Sequence, residues 1–308
     1  MQQTSWLRAI LLALRVGAVL CVKPKCFSDE DADNAFINAV REGPAAGCES
    51  GGFQRIDRLA RLLSKAARAG CNSFGFHGQY GVFSSPPTPT NRSSAFLRMQ
   101  AKHYTYGPTK ATFLYNETCR HFVSGGGKQQ LCEIGFNAGH TSLIWLEAAP
   151  SARVIAFDLG DLAYARKQAA LMSRAYGERF QVVWGSSLET VPAHERKLSS
   201  KCDVAFLDGG KNRNLRLGDL RAFHRLSGPG TLLLFDEVTT LSCVRGVGVS
   251  AHQACGGPAR TWSSTTHAYY IASRQGLISV DRCDWPPHLK DVDGVCSAHY
   301  RYNSTQYA

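Results

Sequence analysis

No acidic residue occurs before Asp29, no Cys-x-x-Cys pair occurs anywhere, and no block of five Lys or Arg residues breaks the chain. Without paired cysteines of that spacing, zinc-ribbon and thioredoxin-like sites have no scaffold. Without a basic block, the formal net charge of +11, from 35 Lys and Arg against 24 Asp and Glu, reads as scattered, solvated surface. Nucleic acid is therefore not an expected partner. The apolar run Ala9–Val22 is short of the ~18 residues of a membrane span and carries Arg15 in its middle. No segment repeats at a fixed period. A hydrophobic fraction of 44% with 19% charged residues excludes a disordered chain.

What the N-terminus does contain is an apolar stretch followed by Lys23 and Lys25. Residues 1–22 read as a secretory signal peptide with cleavage near Cys21. A mitochondrial presequence is the alternative, since Arg8 and Arg15 would share a helix face. A short uncleaved anchor is a third reading, and the one route to a membrane. Asn91-Arg92-Ser93, Asn116-Glu117-Thr118 and Asn303-Ser304-Thr305 fit the N-glycosylation sequon. Of 11 cysteines, loss of Cys21 leaves an even number that can pair completely; buried free thiols are the alternative. A glycosylated, disulfide-bonded protein of the secretory pathway is the expectation.

Residues 26–95 form a lead-in. Within it, Ile56, Leu59, Leu62, Leu63 and Ala66 recur at helical spacing, predicting a helix over 53–69. Cys48 and Cys71 bracket that helix and are placed to staple it. The run Ser84-Ser85-Pro86-Pro87-Thr88-Pro89 is a linker. From residue 96 to 308 the pattern changes. Apolar strands are predicted at 130–136, 153–159, 180–185, 202–208 and 231–235, with helices between them at 164–176 and 215–226. Strands apolar on both faces and separated by helices imply a doubly wound parallel sheet. Residues 269–272 and 277–280 are predicted as a closing antiparallel pair ahead of a Cys-rich tail.

Ligands of such sheets bind at the carboxyl ends of the strands. The first strand ends in Glu133-Ile134-Gly135-Phe136-Asn137-Ala138-Gly139-His140, whose glycines permit a tight turn and close backbone approach. This is not the Gly-x-Gly-x-x-Gly of a dinucleotide site. One acidic lead and wider glycine spacing suit a cofactor with a cationic centre and no phosphate. The second strand closes in Asp158, a residue placed to hold both ribose hydroxyls, with helix capping as the plainer role. Gly185-Ser186-Ser187 ends the third, where a small polar pair can meet an adenine edge.

The order of these features, followed by Phe206-Leu207-Asp208 and Phe235-Asp236, resembles the class I S-adenosylmethionine-dependent methyltransferases. It is most similar to the small-molecule O-methyltransferases related to catechol O-methyltransferase. The resemblance implies a Rossmann-like, seven-stranded sheet with the lead-in as a small, mostly helical extension. It implies that Glu133, Gly135, Phe136, Asn137, Gly139, His140, Asp158, Ser186, Ser187 and Asp208 bind the cofactor. Gly107, in Tyr106-Gly107-Pro108-Thr109-Lys110-Ala111, is similar to a segment near the methionine end of the cofactor in those enzymes, although Ala111 replaces its second glycine. Asp208, Asp236 and Glu237 match the carboxylates that hold Mg²⁺ or another divalent ion there, with Glu237 standing where the family has Asp or Asn. Lys211 matches the catalytic lysine, and near a sulfonium and a metal a neutral amine would accept the substrate proton. The expected function is O-methylation of a small-molecule or glycan-like hydroxyl. Alternatives are a non-catalytic binding module on the same fold, or a nucleotide-dependent dehydrogenase or epimerase.

Overall fold

The computed structural model describes residues 29–43, 45–48, 51–68, 109–123, 129–197, 200–238, 263–284 and 294–302. The leader, the linker, Gly107, Trp262, Trp285, His288 and the sequons at Asn91 and Asn303 lie outside them. Two helices come first, α1 (Glu30–Arg41) and α2 (Gly52–Arg68), then α3 (Thr109–Val123). The sheet follows as β1 (Gln130–Ile134), α4 (His140–Ala148), β2 (Arg153–Asp158), α5 (Ala163–Tyr176), β3 (Phe180–Trp184), α6 (Ser187–Glu195), β4 (Cys202–Leu207), α7 (Arg213–Leu226) and β5 (Ser227–Val238). It closes with α8 (Ser263–Arg274), β6 (Ile278–Asp284) and β7 (Gly294–Tyr300). No helix among the described residues is long and apolar enough to cross a membrane.

The seven strands lie in the order β3-β2-β1-β4-β5-β7-β6. β1 to β5 are parallel, and β7 enters antiparallel between β5 and β6. Because β1 pairs with both β2 and β4, the chain reverses its direction of winding there, and the carboxyl ends of β1 and β4 flank the switch point. The strands are apolar on both faces because both faces are covered. Leu131, Val154, Ala156, Val204, Phe206 and Leu234 join one core with α4 and α5. Cys132, Ile134, Ile155, Phe157, Ala205, Leu207, Leu233 and Phe235 join the other, with α7 and α8.

The lead-in belongs to the first of these cores. Phe36, Ile56, Leu59 and Leu63 are fully or nearly fully buried in it. α1 starts where sequence says a helix should: Asp29 accepts the Ala32 N–H at 3.1 Å, and Glu30, Asp31 and Asp33 sit in the positive first turn. Cys48 pairs with Cys119 of α3, not with Cys71, which lies outside the described residues; the cross-link joins the lead-in to a helix distant in sequence. A second disulfide joins Cys132 and Cys202.

The predicted closing pair is corrected. Tyr269–Ala272 lies inside helix α8, and the partner of β6 is β7, drawn from the Cys-rich tail. A four-residue apolar run does not distinguish strand from buried helix. Here Ala268, Tyr269 and Ala272 share one helical face, and all are buried.

Candidate active site

The loop after β1 is shaped by contacts that admit no side chain. Gly135 has φ +99°, and a Cβ there would lie 2.5 Å from the Asp208 carbonyl oxygen. The β1 loop and the end of β4 therefore touch through backbone, as the Asp208 N–H donating to the Ile134 carbonyl at 2.9 Å confirms. Gly139 has φ +82°, and a Cβ would strike the Phe136 ring at 2.7 Å. Between them the Gly139 N–H donates to the Phe136 carbonyl at 2.8 Å, closing a turn that delivers the chain into α4. Phe136 itself points into the core against Phe180 and Trp184. Its contribution to a ligand is thus backbone only.

Asp158 ties this loop to the end of β2. One carboxylate oxygen accepts the Asn137 N–H at 3.0 Å, the other the Gly160 N–H at 2.8 Å. Asn137 holds a left-handed conformation (φ 55°), and its side-chain oxygen accepts from the Tyr164 hydroxyl at 2.7 Å. Each Asp158 oxygen keeps a second lone pair, so the carboxylate is preset and still able to accept from a diol.

Glu133 is fully buried at the end of β1. One oxygen accepts the Ser142 hydroxyl; the other is sealed from solvent without a hydrogen-bond partner. Burial first, then the charges of Asp158 and Asp208, push its pKa well above the usual carboxylate range, against the Ser142 hydrogen bond. A buried, half-satisfied carboxylate between two others is an electrostatic seat for a cation.

The remaining residues divide. His140 is buried with its ring turned from the strand ends into α2, against Ser64 at 2.8 Å. Ser187 donates to Asp219 of α7 at 2.6 Å, and Ser186 makes no side-chain cap bond to α6. Asp208 accepts from Lys211 Nζ at 2.6 Å, with the lysine side chain more than half exposed. Asp236 is buried, and its carbonyl accepts the Tyr269 hydroxyl at 2.9 Å. Tyr269 is core, and the side chain of Glu237 is outside the described residues. Among the described residues no group of three His, Cys, Asp or Glu side chains could hold a metal ion. Of the three carboxylates expected to hold a metal, Asp208 and Asp236 are described, and Asp208 Oδ1 is engaged by Lys211.

Sequence reasoning missed Ser142 and Tyr164, the supports of Glu133 and Asn137. It also missed Leu159, which directly follows Asp158 and is 60% exposed, and Leu188, 41% exposed on the first turn of α6. An apolar residue immediately after a strand-terminal acid was the available signal for Leu159. Tyr164 and Asp219 sit within helices and carry none.

Residues 132–238, from the second residue of β1 to the end of β5, match the model of the methyltransferase domain family. These residues are thus a methyltransferase domain, consistent with the class I, S-adenosylmethionine-dependent kind. The strand order with its antiparallel β7 is the seven-stranded arrangement that the resemblance implied. Among curated proteins no relative matches the sequence. Similar solved structures include an O-methyltransferase from Bacillus cereus in complex with SAH, 18% identical with a TM-score of 0.49, the match covering 63% of this chain and 82% of that one. Another is the O-methyltransferase TomG from Streptomyces achromogenes in complex with SAM, 15% identical with a TM-score of 0.48, covering 66% of this chain and 85% of that one.

Proposed function

We propose that the methyltransferase acts on a hydroxyl of a small molecule or glycan, using the carboxyl ends of β1, β2 and β4. One observation carries the reading: Asp158 closes on the glycine loop through the Asn137 and Gly160 N–H groups while keeping lone pairs for a ribose. Glu133 lies beneath the loop, where the cationic methionine end of S-adenosylmethionine would favour its ionised form. Leu159 and Leu188 offer exposed apolar surface on either side of the β2 and β3 ends, where adenine can leave water.

In the transfer, the acceptor oxygen forms a bond to the methyl carbon as the carbon–sulfur bond breaks. The hydroxyl proton leaves, and S-adenosylhomocysteine remains. Alignment of the two reactants supplies most of the acceleration. The Asp208–Lys211 pair directly follows β4, at the switch point. One member of the pair takes the proton, and the other steadies the charge developing on the acceptor oxygen. The acid-free leader, the sequons and the disulfides among the described residues support a secretory route, which a mobility shift on glycosidase treatment of the expressed protein would check.

The deciding measurement is calorimetric binding of S-adenosylhomocysteine to wild type and Asp158→Ala. Loss of charge-assisted hydrogen bonds to a diol should weaken binding at least about tenfold. Equal affinity would remove Asp158 from the site. No binding by wild type would remove the cofactor assignment.

A further inference from the structure

The lead-in helices lie outside the matched segment, yet α2 packs directly on α4, the helix that the Gly135–Gly139 loop runs into. The buried face of α2 is Ile56, Leu59, Ala60, Leu63, Ser64, Ala66 and Ala67. Among its described side chains Ser64 is the one that is both buried and polar, and its oxygen lies 2.8 Å from His140 Nε2. The His140 ring is also hydrogen-bonded to the Ala60 carbonyl. His140 is the first residue of α4, directly after Gly139. Its main chain continues the cofactor loop while its side chain is fastened to α2. Burial lowers its pKa to about 4, so the ring is neutral and keeps one donor and one acceptor for these two partners.

Other contacts hold the same layer without touching the loop. Near the far end of α4, Glu147 accepts from Arg55 Nε at 2.8 Å and from the Ala46 N–H at 3.2 Å. On α5, Lys167 donates to the Ala66 carbonyl at 2.7 Å. These place α2; among the described residues, the His140 contact is the one that joins it to the residue next to the loop.

We propose that α2 holds the cofactor loop in its binding form, with His140 as the positioning residue and Ser64 as its anchor. The proposal rests on the reading that this loop binds S-adenosylmethionine. A turn held ready before the ligand arrives loses less freedom on binding, so affinity is higher than for an untethered loop. Linkage requires the converse: cofactor must tighten the seating of α2.

The test uses the full chain and S-adenosylhomocysteine. Ser64→Ala removes the hydroxyl, and Kd should rise at least about fivefold, with KM for S-adenosylmethionine rising in step and kcat at saturation close to wild type. Ser64→Thr keeps the hydroxyl and should restore Kd. Ile56→Val thins the same interface away from His140; it should lower Tm and leave Kd within about twofold. In wild type, saturating S-adenosylhomocysteine should slow amide exchange across α2, a measurement that stands even if Ser64→Ala does not fold. The proposal is overturned if wild type binds but Ser64→Ala binds equally well, if Ile56→Val weakens binding as much as Ser64→Ala, or if α2 exchange is unmoved by ligand. Absence of binding by wild type would instead defeat the cofactor reading, and this inference with it.

Discussion

The two faces of the sheet are built differently. On the face of Cys132, Ile134, Phe157 and Phe235 there is one layer of helices, α6, α7 and α8, joined to the strands mainly by apolar packing of Val191, Leu220, Phe223 and Tyr269. On the opposite face α4 and α5 form the same kind of layer, but a third layer, α1 and α2, lies on top. That layer is joined by polar links: Glu147 with Arg55, His140 with Ser64, Gln168 with the Leu63 carbonyl and Lys167 with the Ala66 carbonyl. The Cys48–Cys119 disulfide adds a covalent one. Apolar packing of Phe36, Ile56, Leu59 and Leu63 seats the two helices, and the directional bonds fix their register on the layer beneath.

The largest effect that tests this contrast is at Glu147. Its carboxylate is almost wholly buried, and Ala leaves Arg55, the Ala46 N–H and the Tyr176 hydroxyl without their acceptor. Glu147→Ala should cost about 3–5 kcal/mol in denaturant unfolding, the scale for breaking a buried pair. Leu220→Ala on the other face should cost a similar ~2–5 kcal/mol by leaving a cavity. The difference lies in what each loss is coupled to: Arg55→Ala should add little to Glu147→Ala, because the two share one interaction, and should add in full to Leu220→Ala. Full additivity in both double variants would erase the contrast.

His140 gives the next effect. Its folded pKa, about 4, lies below its ordinary value of 6.5, because burial outweighs the Ala60 hydrogen bond. The unfolded chain then binds more protons between those values, so stability falls as pH drops from 6.5 towards 4. The loss across that window is on the order of 3 kcal/mol for a fully buried ring. His140→Gln should be less stable at neutral pH and lack this component. A wild-type unfolding free energy that is flat between pH 6.5 and 4 would contradict the burial of the ring against α2.

Much of the parallel sheet was legible in advance, because strands covered on both faces are apolar throughout and end in recognisable residues. The runs ending at Asp158 and Asp208 read as strands for that reason, and the glycine loop read correctly because Gly135 and Gly139 occupy positions that exclude side chains. What failed were features made by distant residues. Tyr269–Ala272 is apolar in either conformation, and only its packing on β5 decides for helix. Cys48 found Cys119 because α3 passes beside the loop after α1, a neighbourhood no spacing encodes. His140 follows the loop in sequence and reads as a cofactor contact, but its side chain is claimed by a helix that sequence places in a separate lead-in.

The smallest effect, at Glu133, separates the strand ends from the layered faces. Burial and the charges of Asp158 and Asp208 raise its folded pKa above the ordinary value of 4.5. The native state therefore binds more protons than the unfolded chain above pH 4.5, and this group's contribution to stability fades as pH rises through its folded pKa, opposite in sign to His140. A cationic cofactor favours the ionised carboxylate. Binding then releases a proton, and affinity for S-adenosylmethionine should tighten with rising pH across the same window, by at most about tenfold per unit. Glu133→Gln should bind more weakly at high pH and lose that slope, while Glu147→Gln, buried on the layered face, should retain it. If the slope survives in Glu133→Gln, the cation seat is not at the end of β1, and the charge beneath the loop serves only to hold Ser142 and the start of α4.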